Sequence, residues 1–149
     1  MNARPGATLG RFDRAVVRDG NAVLEDGSPG LLYGTLVGPP AWEAEMQDGD
    51  EVLAAVPAYG VRGVLVVDGK NGEVVTIQQN GRHPCRVSAA VNVGDRLSLD
   101  PATPGHLVHD TTGNAVVVAT ALEAAVLPGQ LPLCRLENLP LIPPDASGA

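Results

Sequence analysis

From residue 73 onward the chain alternates. In Glu73–Gln79, Val75 and Ile77 share one face. In Cys85–Val91, the residues Cys85, Val87, Ala89 and Val91 share one face while Arg86 and Ser88 point the other way. In Asp95–Leu99, Leu97 and Leu99 oppose Arg96 and Ser98. A period of two marks strands buried on one side. Ala115–Leu122 instead reads as a near-continuous apolar run, β-branched at Val116, Val117 and Val118, which predicts a central strand covered on both faces. Leu131–Leu136 closes the sheet, and Pro132 places an edge or a bulge there.

The earlier half is more broken. Ala15–Val17 and Ala22–Leu24 flank Asp19-Gly20, the dipeptide of a tight hairpin turn. Leu31–Val37 predicts a strand stopped by Gly38-Pro39-Pro40, and Val52–Val56 and Gly63–Val67 predict two more. Residues 41–49, AWEAEMQDG, are the best local helix candidate, since Ala, Glu, Met and Gln are good formers, although so short a run is unstable alone. These elements divide the chain into an N-terminal arm and hairpin over 1–40, a barrel domain over 41–139 and a Pro-rich, extended tail over 140–149. The expected class is all-β: a small β-barrel or β-tulip-like domain with an extended N-terminal arm.

Composition sharpens this picture in three places. Gly (18) and Pro (13) recur singly between short apolar runs, as turn punctuation. The aromatics are Phe12, Tyr33, Trp42 and Tyr59, so the later core must be aliphatic. Net charge is -7, yet Arg4, Arg11, Arg14 and Arg18 face only Asp13 in the first 18 residues. The net charge of -7 argues against nonspecific binding to nucleic acid or an anionic membrane, whereas the arm is locally basic. The contrast marks the arm for protein contact. Arg4, Arg11, Phe12, Arg14, Arg18, Tyr33 and Trp42 are the candidate contact residues, because arginine forks carboxylates and large aromatics favour interfaces.

Chemistry is harder to place. Cys85 and Cys134 lack zinc-type spacing and are expected as buried free thiols, with a disulfide left open. His106 and His109 would fall on opposite faces of a strand, poor geometry for a metal. Asp48, Asp50 and Glu51 around Gly49, and Asp95 and Asp100, suit tight turns better than acid–base work. No Ser has a nucleophile-elbow context and no phosphate loop appears. Lys70 in Asp68-Gly69-Lys70 lacks the neighbours of a biotinyl or lipoyl carrier lysine. The expectation is therefore no catalytic residue, no cofactor and no metal. No apolar segment reads as a signal peptide or membrane span, so synthesis in the cytoplasm is expected.

Four consecutive stretches between Val61 and Leu139 carry a resemblance. They are Gly72-Glu-Val-Val-Thr-Ile-Gln78, Arg86-Val-Ser-Ala-Ala-Val-Asn-Val-Gly-Asp-Arg-Leu97, Gly113-Asn-Ala-Val-Val-Val-Ala-Thr-Ala-Leu-Glu-Ala-Ala125 and Pro128-Gly-Gln-Leu-Pro-Leu-Cys-Arg-Leu136. In order and spacing they resemble the capsid decoration (cement) proteins of tailed bacteriophages, over roughly half the chain. The resemblance implies a non-enzymatic virion protein that binds the outer capsid surface and strengthens it. It implies the major capsid protein and further copies of the same chain as partners, the latter in a homotrimer. Another virion β-domain, of tail or baseplate, and an accessory or carrier domain of an enzyme complex are the alternatives.

Overall fold

Two of the apolar runs leave no face for water. In the computed structural model, which describes residues 11–20, 22–47, 49–111, 113 and 116–143, the strands Leu36–Gly38 (β4) and Gly63–Leu65 (β6) are buried at every position. Leu36 and Val64 face one apolar cluster while Val37 and Leu65 face another. These two strands are a shared wall between two cores.

The first core fills a closed barrel. Its staves run in the order β1 (Phe12–Val17), β5 (Glu51–Ala54), β4, β6 and β8 (Val74–Gln78), with β8 returning to β1. Only the β1–β5 pairing is parallel. Ala15, Val17, Val37, Val52, Leu65, Val75 and Ile77 fill it, mostly by the alternation expected of half-buried strands. Gly63 is obligatory here: a Cβ would stand 2.9 Å from the Gln78 carbonyl oxygen and 3.1 Å from Ile77 Cδ1.

The second core lies between that wall and a sheet ordered β11 (Leu107–His109), β10 (Arg96–Leu99), β12 (Ala119–Ala121), β13 (Leu133–Leu136) and β9 (Gly81–Pro84). It is wholly aliphatic apart from its cysteines, as the distribution of aromatics requires. A small third sheet joins β2 (Ala22–Val23), β3 (Pro29–Leu31) and β7 (Gly69–Lys70). The all-β class and the barrel expected from the sequence are present.

Several expectations need correction. The boundary at residue 40 does not exist, because β1 and β4 are staves of the barrel; what remains as arm, residues 1–10, lies outside the described residues. Asp19 does adopt the left-handed conformation (φ 51°). The segments flanking it nevertheless do not pair: β1 takes β8 over five residue pairs, and β2 takes β3. Residues 41–47 and 49 form no helix, since the run buries no apolar stripe to compensate for its length. The run at 115–122 contributes only the short central strand β12, with Val116 exposed and Ala115 outside the described residues. Cys85–Val91 is irregular and bridged only at Val87 and Val91. β13 is interior rather than an edge, and Pro132 sits just before it. Of the tail, Leu141 pairs with Val61, and residues 144–149 lie outside the described residues.

One end of the barrel is closed by Arg62, 1% exposed. Its Nη2 donates to Asp13 Oδ2 at 2.8 Å and to the Arg14 carbonyl at 2.7 Å, and its Nη1 donates to the Asp50 carbonyl at 3.2 Å. Asp13 shares the inward parity of Ala15 and Val17 on β1. Removing one partner of a buried pair strands the other charge. Asp13→Ala should therefore cost about 3–5 kcal/mol in urea unfolding, and adding Arg62→Met should restore part of that loss.

Candidate functional site

Strand β1 sorts its residues by parity. Asp13, Ala15 and Val17 turn inward, and Phe12, Arg14 and Val16 turn outward. On β8 the outward positions are Val74 and Thr76, both exposed. Register sets Arg14 opposite Thr76 and Val16 opposite Val74, with Phe12 opposite Gln78. The outer face of this strand pair thus exposes two large apolar side chains, Phe12 and Val74, around the Arg14 position. Directly opposed residues on one face lie close enough to act as a single surface.

The other arginines bracket it. Arg18 follows β1, with Nη1 3.5 Å from Glu51 Oε1 and Nε 3.4 Å from Asp19 Oδ2. Arg18 and Glu51 are about half exposed and Asp19 more so, so these pairs hold Arg18 loosely and leave it able to exchange partners. Arg11 precedes β1 and is anchored more firmly. Its Nε donates to Gln79 Oε1 at 3.2 Å and its Nη2 to the Leu139 carbonyl, which ties the C-terminal run to the barrel. Arg4 lies outside the described residues.

Tyr33 and Trp42 do not join this face. The Tyr33 ring lies tilted against His83, centroids 5.1 Å apart, and Trp42 Nε1 donates to the Pro143 carbonyl at 2.7 Å. Both are half-buried and serve their own domain. Of the seven candidates, Arg11, Phe12, Arg14 and Arg18 are brought together along β1. Val74 and Thr76 were missed, although their alternation with Val75 and Ile77 marks them as outward.

The titratable side chains are placed as structural groups. Asp50 Oδ2 accepts from the Gln47 amide, Asp95 Oδ2 from Asn92 and Asp100 Oδ1 from Ala102, each closing a turn. Asp48 lies outside the described residues. The Ser88 side chain and the Ala102 amide hold the Asp100 carboxyl below its ordinary pKa. Lys70 Nζ sits 2.7 Å from Asp26 Oδ2; each raises or lowers the other's pKa in favour of the charged pair. His106 Nδ1 lies 3.1 Å from the Pro104 carbonyl, and His109 Nδ1 lies 3.6 Å from Asp95 Oδ2. No group of three His, Cys, Asp or Glu side chains among the described residues is arranged to hold a metal. Cys85 and Cys134 are free and buried, and their mutual hydrogen bond followed by burial pushes the Cys85 thiol well up.

No family model matches the chain, and no curated protein matches it. Among solved structures, the chain is similar to the head fiber gp8.5 N base of bacteriophage phi29, with a TM-score of 0.47 and 16% identity, over 89% of this chain and 98% of that one. A likeness this slight carries neither fold nor role from one chain to the other.

Two outcomes follow from the titratable groups. Burial depresses the His83 pKa, only partly offset by the Pro84 carbonyl 2.7 Å from Nδ1. The unfolded chain therefore takes up this proton first, and stability falls as pH drops below the ordinary value of 6.5. Asp100 adds a separate loss at lower pH, below its ordinary value of 3.8. Melting curves of His83→Gln should lose the upper window and keep the lower. The two thiols should resist a disulfide reagent in the native protein and react fully in denaturant.

Proposed function

We propose that this chain is a structural virion protein of a tailed bacteriophage, a decoration protein that binds the outer surface of the capsid shell and stabilises it. The observation that carries this reading is where the four resembling stretches fall. Gly72–Gln78 contains β8. The other three stretches lead into or contain β10, β12 and β13, which are immediate neighbours in one sheet over one core. Three of the four stretches thus make a single packed unit, and the first belongs to the adjoining barrel.

The shell-facing surface in this reading is the outer face of β1 and β8, with Arg11 and Arg18 at the two ends of β1. Arg14 and Arg18 meet carboxylates of the major capsid protein, and Phe12 and Val74 supply apolar contact. Single exposed ion pairs contribute only ~0–1 kcal/mol each. Many subunits bound together, as homotrimers on the shell, multiply them through effective concentration. The acidic remainder keeps unassembled copies apart and away from the genome.

The test is co-sedimentation of the purified chain with empty expanded shells and, separately, with tails. Attachment to shells should weaken as salt rises. Arg14→Ala with Arg18→Ala should flatten that salt dependence, and Phe12→Asp should reduce attachment about tenfold or more, as loss of an apolar anchor does. Removal of the arm should stop at residue 10, since deletion into β1 opens the barrel. Binding to tails and not to shells would overturn the assignment.

A further inference from the structure

An apolar groove of about 490 Å³ opens beside the last described residues, with Val61, Leu99, Val116, Val118, Leu141 and Ile142 in its lining. Val61, Leu99 and Val118 are buried, whereas Val116 and Ile142 are 58% and 40% exposed. A single exposed valine is ordinary, but two large apolar side chains on the rim of one apolar groove mark a surface that takes a partner. The wall is built before anything enters. Val61 and Leu141 exchange amide-to-carbonyl hydrogen bonds at 3.1 and 2.8 Å, and the Trp42 indole holds the Pro143 carbonyl at 2.7 Å. A pre-formed groove loses little entropy on docking.

Chain path and sequence pattern select the occupant. Residues 1–10, outside the described residues, start from Arg11, whose Nη2 donates to the Leu139 carbonyl. From Leu139 a dipeptide, about 7 Å of extended chain, leads to Leu141 in the groove, while ten extended residues span about 33 Å. The segment also has one apolar parity. Met1, Ala3, Pro5, Ala7 and Leu9 alternate with Asn2, Arg4, Gly6, Thr8 and Gly10, so in extended form one face is apolar. Arg4 is its one charged side chain, attracted to a chain of net charge -7. Residues 144–149 leave from the groove as well, at Pro143, but Pro-Asp-Ala-Ser-Gly-Ala offers no large aliphatic side chain. A segment tethered beside its site acts at a millimolar effective concentration, ahead of free chains. We infer that residues 1–10 bind in extended form in this groove of the same molecule, with their odd-numbered side chains inward. The segment is then a strap across β10 and the C-terminal run.

Disulfide trapping in the full chain tests this. Cys85 and Cys134 are buried, so only introduced thiols react under native conditions. Val116→Cys is combined in turn with Ala3→Cys, Ala7→Cys and Leu9→Cys and, for the opposite parity, with Asn2→Cys and Thr8→Cys. On mild oxidation an odd-position variant should close a bond within one molecule, on the order of tenfold faster than either even-position variant, because a docked segment holds one parity within disulfide reach. Leu9→Asp should lower the melting temperature by about 2–4 °C. Thr8→Asp, which adds the same charge on the other parity, should leave it unchanged. Equal trapping at both parities, or none at any position, overturns the inference, as does a melting temperature indifferent to Leu9→Asp. Links between molecules also overturn it and assign the groove to the arm of a neighbouring copy. None of these outcomes depends on shell binding, so the capsid reading stands or falls separately.

Discussion

A buried guanidinium holds one end of this fold together. β1, β5 and β6 begin at the same end of the barrel, as their parallel and doubly antiparallel pairings require, and Arg62 stands where all three start. Through two nitrogens it reaches Asp13, the Arg14 carbonyl and the Asp50 carbonyl. An aliphatic residue would fill the space but leave the Asp13 carboxylate without its cation; the Arg14 and Asp50 carbonyls also accept from the Gly49 and Val16 amides. Arginine is the side chain that can answer several acceptors in one plane. Desolvating it is costly, and its Nε is buried without a hydrogen-bond partner among the described residues, so the closure depends on the contacts of the other two nitrogens. The position also accounts for the neighbouring polar groups: Gln79 Nε2 donates back to the Arg62 carbonyl, and Gln79 Oε1 receives Arg11.

The shared wall of β4 and β6 is the second constraint, since it makes barrel and sheet one cooperative body. Any shift of Leu36 or Val64 against the sheet also moves Val37 and Leu65 in the barrel. The external surfaces are correspondingly free to differ. The β1–β8 face mixes cations with apolar groups.

The legible parts of the sequence were those where one face meets water. Val75 and Ile77 on β8 announce their strand because Val74 and Thr76 lie outward. Leu36-Val37 and Val64-Leu65 carry no such sign, because both faces are covered, and their assignment to two separate cores is invisible in a row of aliphatic letters. At Asp19-Gly20 the local preference is met only in part: Asp19 takes the left-handed conformation, Gly20 does not, and five pairs with β8 outweigh a short hairpin. Residues 41–47 have helix-forming composition without a face to bury. At the candidate site, the arginines with Phe12 were legible from charge and position. Tyr33 and Trp42 were misplaced because a lone aromatic does not reveal whether its neighbour belongs to its own chain.

The described chain also comes back to where it started. Arg11, at the head of β1, donates to the Leu139 carbonyl, and Leu141 pairs with Val61 beside the Arg62 closure. With both ends of the fold on one side of the barrel, a short peptide could join them without disturbing any ladder. New ends could then be opened at the Gly27 turn between β2 and β3, where nothing crowds the backbone. The chain is in this sense a circle cut at one place, and the cut can be moved.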